Sequence, residues 1–188
     1  METQDNTKTL SPTVSETVQK IYSLDLSRIR GKLVCNPPEG LGWSQEQAEE
    51  AELWYKRFLH VYSTDPYSKD NVPSIPIDAF WHYHILDTVK YARDCQDVFG
   101  RFVHHNPYYG INGDSAERDQ SFLVTDKKYI QLFGESCMSM KHFSFSERGW
   151  LPNENKGRKS LLRGPRVKRI LEVQAKCGPG GSCDTVTL

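Results

Sequence analysis

Four of the six histidines in this 188-residue chain lie between residues 82 and 105. His82 and His84 are two positions apart, while His104 and His105 are adjacent. Neutral imidazole is a common metal ligand, and it also gains or loses a proton near neutral pH. The cluster therefore indicates either a metal site or acid–base chemistry.

A metal site is the most specific of these hypotheses. Imidazoles and one carboxylate oxygen suit zinc or iron as ligands. A further carboxylate could orient one of the imidazoles by accepting a hydrogen bond from its other ring nitrogen. The candidate ligands are His82, His84, His104, His105 and Asp78.

Helical geometry separates the candidate ligands into smaller sets. Residues 77–99 have the pattern of one helix, and Gly100 is predicted to end it. Two residues along a helix turn about 200° around its axis, so one ion cannot easily receive both His82 and His84. Two smaller sets remain open. One is His84 with a member of the 104–105 pair, and the other is Asp78 and His82 with a member of that pair.

A core network is the alternative explanation for the same residues. Ile77, Trp81, His84, Thr88, Tyr91, Cys95 and Val98 follow alternating four- and three-residue steps, which predicts one inward face that includes His84. A second row, Asp78, His82, Ile85, Val89 and Ala92, predicts burial on more than one side of the helix. Buried residues with polar tips usually form a hydrogen-bond network. The supporting residues in either case are Trp81, Asp87, Thr88, Tyr91 and Cys95.

An enzyme using these histidines, with Asp78 or Asp87 as the orienting carboxylate, is a further alternative. No serine elbow, phosphate loop, dinucleotide fingerprint or metalloprotease helix motif specifies a reaction. Cys95 is awkward as a nucleophile for His84, because about three helical turns separate them. The sequence leaves open whether the chain is an enzyme.

Further helices must position this cluster. Ser44 and Gln47 are typical of a capping box, which predicts the start of a long helix whose apolar stripe continues to Tyr62. Pro76 suits a helix entry, and another helix is predicted over residues 115–133, ended by Gly134. Weak periodicity at Val14, Val18, Ile21 and Leu24 hints at a short helix near the start of the chain.

The helical patterns predict the fold class, and composition describes its core. The hydrophobic share is only 37%, although 11% of residues are aromatic. We predict an all-α fold: a single compact domain of three to four helices with an aromatic-rich core. It spans residues 21–150, between a mostly disordered head at 1–20 and a flexible, basic, Gly/Cys-containing tail at 151–188.

The chain lacks the signals of secretion and of membrane insertion. No basic segment with a following apolar run opens the sequence, and no apolar stretch approaches 18 residues, so a cytoplasmic protein without a transmembrane segment is predicted. Five cysteines fit reduced thiols better than a disulfide framework. Cys177 and Cys183 could bind a soft metal, although they lack the two-residue spacing of common zinc motifs.

Local charge offers another kind of partner. The 24 basic and 24 acidic residues balance, so the whole chain has no net attraction to polyanions. Seven Lys and Arg lie within residues 156–169, where they could contact nucleic acid, an anionic surface or an acidic partner. A solvated arm is the alternative meaning of such a run.

Residues 77–88 (IDAFWHYHILDT), Phe99-Gly100 and residues 104–107 (HHNP) resemble the glycine-rich domain-containing-protein-like family. The resemblance extends over residues 24–135 and includes residues 54–59 (WYKRFL). It implies a domain of poorly defined activity and carries over no catalytic residue. We therefore predict a helical binding or scaffold module with a protein partner. A metal ion bound at the histidine cluster is the most specific and most readily tested part of this prediction.

Overall fold

The computed structural model of the chain describes residues 14–68, 70–146 and 149–152. These residues form six α-helices, one turn of 3-10 helix at Cys137–Ser139 and one two-stranded antiparallel hairpin. The helices are α1 (Val14–Ser23), α2 (Ser27–Val34), α3 (Gln45–Thr64), α4 (Ile75–Leu86), α5 (Thr88–Phe99) and α6 (Ser115–Phe133), and the strands are β1 (Phe143–Ser146) and β2 (Gly149–Pro152).

The helical class is confirmed, but the expected number of three to four helices is wrong. Two of the extra helices are short. The N-cap residue of α2, Leu26, makes no side-chain cap, although Asp25 Oδ1 accepts a hydrogen bond from the Ser27 N–H at 3.0 Å. The helix is held by the buried side chains of Ile29 and Leu33. The hairpin is a second departure, because Phe143 pairs with Pro152 in a ladder that an all-α prediction does not contain.

α3 lies at the centre of the fold and contacts α1, α2, α4 and α6. Its start matches the prediction: the Ser44 hydroxyl accepts a hydrogen bond from the Gln47 backbone N–H, and the Gln47 side chain accepts one from the Ser44 N–H. Its buried stripe supplies aliphatic and aromatic core residues, namely Ala48, Ala51, Trp54, Tyr55, Phe58, Leu59 and Val61.

The single helix predicted over residues 77–99 is wrong, because the chain breaks at Asp87. This residue has φ −81° and ψ 69°, so α4 ends there and α5 begins at the next residue. Its N–H donates to the His84 carbonyl at 3.2 Å, and its carbonyl accepts the Tyr91 N–H at 2.8 Å. Because the break redirects the chain, Thr88 is exposed rather than turned inward.

The second predicted buried row is wrong at three of its five positions, whereas Asp78 and Ile85 are partly buried. α5 packs against α1 and α4, and its opposite side faces solvent. Val89 is 70% exposed, and His82 and Ala92 are exposed as well. The break thus leaves α5 with one buried side, whereas α4 contacts α2, α3, α5 and β2 and exposes only His82 and Leu86.

Glycines end two helices as predicted. Gly100 after α5 has φ 67° and Gly134 after α6 has φ 73°, the left-handed conformation that favours glycine. Pro76 lies in the first turn of α4, which also agrees with the prediction. None of the described helices is long and apolar enough to cross a membrane.

Parts of the predicted head and tail have a place in this fold. Residues 14–20 belong to α1, and residues 151–152 belong to β2. The basic segment at 156–169 and the thiols of Cys177 and Cys183 lie outside the described residues.

Candidate functional metal site

The loop after α5 returns to α4 and carries the second pair of histidines with it. Its anchor is Val103, which is buried and whose carbonyl accepts a hydrogen bond from the Tyr91 hydroxyl at 2.6 Å. The same hydroxyl accepts the indole N–H of Trp81 at 2.9 Å. This chain of two buried hydrogen bonds ties α4, α5 and the loop together, and it sets where His104 and His105 lie.

Three candidate ligands meet where this loop touches α4. His105 Nε2 lies 2.8 Å from Asp78 Oδ1 and 3.2 Å from His82 Nε2. His82 Nε2 lies 3.5 Å from Asp78 Oδ2, one helical turn away on α4. One ligand atom from each of the three residues lies within 4.8 Å of the other two. We call Asp78, His82 and His105 the triad.

The triad is partly open to solvent. The His82 side chain is half exposed, whereas the Asp78 and His105 side chains are mostly covered. The buried indole of Trp81 packs edge-on against the His105 ring, with 4.6 Å between ring centroids. Protein therefore covers the His105 end, and water reaches the His82 end.

The two facing imidazole nitrogens limit what the triad can do. Both are Nε2 atoms, and two neutral rings with lone pairs at these positions would oppose each other unless a proton or a cation lies between them. A proton on one ring can bridge to its neighbour and to Asp78. A divalent cation can replace that proton, because deprotonated imidazole nitrogens and a carboxylate oxygen are typical metal ligands.

His84 lies apart from the triad, in the core, and it is 1% exposed. Its Nδ1 is 3.0 Å from the Tyr55 hydroxyl, and its Nε2 is 2.9 Å from Asp94 Oδ2, which also accepts a hydrogen bond from Lys90. An ionised Asp94 only accepts, so it selects the tautomer in which Nε2–H donates to it and Nδ1 accepts from Tyr55. Both ring nitrogens are thus engaged within the core.

A small cavity of about 10 Å³ lies beside His84, lined in part by Tyr55, Asp94 and Cys95. It holds no more than about one water molecule, which is too small for an organic substrate. Burial also raises the pKa of the Cys95 thiol, so this sulfur is a poor nucleophile at neutral pH. These features support a packing role for this cluster.

The remaining predicted site residues have other roles. Asp87 lies at the junction of α4 and α5, and Thr88 is exposed beside it. His104 is exposed, and its ring packs against Phe102 with 4.9 Å between centroids. Trp81 and Tyr91 position the loop through the hydrogen bonds described above. The structure thus brings His105, rather than His104, to Asp78 and His82.

Sequence reasoning did not single out Tyr55 or Asp94 as partners of His84. Tyr55 belongs to the apolar stripe of α3, which indicates burial but not a hydrogen-bond partner. On an unbroken helix Asp94 would lie about 15 Å along the axis from His84, out of contact. Only the break at Asp87 allows α5 to turn back and place this carboxylate against the imidazole.

The comparisons with known proteins give a family of unknown function. Residues 36–125 match the model of a family described as UCP032817-like. This UCP032817-like segment contains α3, α4, α5 and the loop that carries His105, and thus the whole triad. No curated protein and no solved structure matches the chain.

The buried position of His84 predicts a pH dependence of stability. Burial lowers the pKa of this imidazole from its usual 6.5, against the opposing pull of Asp94. As pH falls below about 6.5, the unfolded chain binds a proton that the folded chain refuses, so folding stability is lost in acid. We expect the stability advantage of the wild type over His84→Gln to be smaller near pH 5.5 than near pH 7.5.

Urea denaturation at both pH values, with a chelator present, measures this difference. The variant Thr88→Ala is a control, because this exposed side chain has no place in the network. A wild-type advantage that grows on acidification would contradict the prediction.

Proposed function

We propose that the helical domain is a binding module that holds a divalent transition-metal ion through Asp78, His82 and His105. The observation that carries this proposal is the approach of three ligand atoms, from two parts of the chain, to within 4.8 Å of one another. Zinc and iron are among the metals that suit two imidazoles and one carboxylate.

The separations within the triad support a shared ion. Ligand atoms about 2.1 Å from one metal lie roughly 3.0–3.4 Å apart at octahedral or tetrahedral angles. The two Nε2 atoms are 3.2 Å apart, within this range. His105 Nε2 lies 2.8 Å from Asp78 Oδ1, and His82 Nε2 lies 3.5 Å from Asp78 Oδ2, so the two imidazoles contact different oxygens of one carboxylate. An ion bound by both imidazoles and by one oxygen therefore requires the Asp78 carboxylate to reorient.

The ligand chemistry narrows the choice of metal. Calcium and magnesium prefer sites made of oxygen atoms, and Cu(I) prefers sulfur. The triad has two nitrogen donors and one hard oxygen donor, which is a borderline set. This favours zinc or ferrous iron over the alkaline-earth ions.

Metal titration of the full chain tests the proposal. We expect chelator-stripped protein to bind about one equivalent of zinc with the triad intact, and Asp78→Asn to bind it much more weakly. The double variant Cys177→Ser/Cys183→Ser serves as the background for both measurements, so that zinc held by the tail thiols is not counted. Binding below about a tenth of an equivalent, or equal binding by Asp78→Asn, would overturn the proposal.

Two family similarities of this chain overlap in sequence. The residues by which the chain resembles the glycine-rich domain-containing-protein-like family, 77–88 and 104–107, fall inside the UCP032817-like match at 36–125. We infer that both describe the same domain. A protein partner, a polyanion contact through residues 156–169, a metal-dependent hydrolytic reaction and a cytoplasmic location stay predictions.

A further inference from the structure

We propose that the ion in the triad keeps coordination positions open to solvent, and that these positions take a small monoanion with oxygen donors, such as a carboxylate or hydroxamate. This inference rests on the proposed metal site. It concerns the further question of whether that site is closed and structural or open to an exogenous ligand.

The number of protein ligands is the first argument. Structural zinc sites have four protein ligands, whereas sites that bind substrate or water have three. Among the residues that the structure describes, the group of His, Cys, Asp and Glu side chains able to share an ion consists of Asp78, His82 and His105. In this group, Asp78 Oδ1 faces His105 Nε2 and Asp78 Oδ2 faces His82 Nε2.

The neighbouring histidines do not complete the site. His84 directs both ring nitrogens to Tyr55 and Asp94 within the core. His104 is exposed and its ring packs on Phe102. A fourth imidazole would require one of them to leave these contacts. With Asp78 bound through one oxygen, the three-residue set therefore leaves one position vacant on a four-coordinate ion and more on an ion of higher coordination number.

The exposure of the ligands gives the direction of the open positions. The Trp81 indole covers the His105 ring, and the His105 side chain is only 15% exposed. The His82 side chain is 50% exposed. An ion held by both therefore has protein on the Trp81 side and solvent on the His82 side, where an exogenous ligand can enter.

The charge of the site selects the class of ligand. A divalent ion with one carboxylate and two neutral imidazoles has a net charge of +1. A monoanion neutralises this charge, while a neutral ligand of the same shape does not. Binding exchanges metal-bound water for the anion. A carboxylate is already ionised at neutral pH, whereas a hydroxamic acid releases its proton to solvent as it binds, and no covalent bond to carbon is broken and no electron is transferred.

Cobalt substitution tests the proposal directly on the full chain, again in the Cys177→Ser/Cys183→Ser background. The chelator-stripped protein is loaded with Co²⁺, its cobalt content is measured, and acetohydroxamate is titrated while the visible spectrum is recorded. We expect a saturable one-to-one spectral change with the cobalt still bound. Acetamide, a neutral analogue, should bind at least about tenfold more weakly. His104→Gln is the matched control and should respond as the wild type does.

The outcomes separate this inference from the proposed function. A full equivalent of bound cobalt whose spectrum does not change with acetohydroxamate would show a closed site and overturn the inference alone. Release of the cobalt to acetohydroxamate, or an equal response to acetamide, would also overturn it. If the protein bound neither cobalt nor zinc, both proposals would be overturned.

Discussion

His105→Gln is expected to weaken zinc binding by at least about 100-fold while the helical fold is retained, since loss of an outer-shell partner alone costs about 10–100-fold. His105 contacts both other members of the triad, at 2.8 Å from Asp78 and 3.2 Å from His82. Its removal leaves two ligands on α4, too few to hold the ion firmly. Competition with a chromophoric chelator measures the affinity, and circular dichroism measures the helical content.

The adjacent histidine provides a closely matched control for this prediction. His104→Gln makes the same chemical change one residue away, on an exposed side chain. We expect it to alter zinc affinity by no more than about twofold, as is usual for a surface substitution. Equal losses in both variants would mean that the loop binds metal without the geometry of the triad.

His84→Ala is expected to lower the free energy of unfolding by about 3 kcal/mol. Two effects add in the same direction. The substitution removes a fully buried ring and leaves a cavity, and it deprives the Tyr55 hydroxyl and the Asp94 carboxylate of their shared partner. Lys90 still pairs with Asp94, so the carboxylate is not left alone. Denaturant unfolding monitored by tryptophan fluorescence measures the loss.

The same variant separates a core role from a ligand role. We expect His84→Ala to bind zinc as the wild type does under conditions where it is folded. Tyr55→Phe is a milder companion, because it removes one hydroxyl from the same network and should cost about 1 kcal/mol. Unchanged stability in both variants would show that the network contributes nothing to folding, and lost zinc binding in folded His84→Ala would assign His84 to the site.

Local sequence signals were sufficient to place the helix ends that have a capping box or a terminal glycine. The capping box at Ser44 and the glycines at 100 and 134 depend on residues within one turn, and the structure has each helix end where these signals predict it. The N-cap position of α2 is Leu26, which has no capping side chain, and the β1–β2 hairpin has no capping box or terminal glycine of this kind. Their formation depends on burial of Ile29, Leu33 and Phe143 against distant parts of the chain.

The break at Asp87 was not predictable from periodicity. The alternating pattern of apolar residues continues through residues 77–98, so it describes one helix as well as two. Only the packing of α5 against α1 and α4 distinguishes them. An unbroken helix would turn Thr88 inward and keep Asp94 away from His84, whereas in the structure Thr88 is exposed and Asp94 contacts His84.

The sequence alone determined that an undistorted helix does not readily bring His82 and His84 to one ion, and that Asp78 lies within reach of His82. Both follow from the repeat of the α-helix, which is local and independent of the rest of the fold. The tertiary structure decided which further residues join them. His105 reaches the triad because Val103 anchors the loop to Tyr91, and Asp94 reaches His84 because the chain turns at Asp87. These are contacts between residues far apart in sequence, and their geometry depends on how the helices pack.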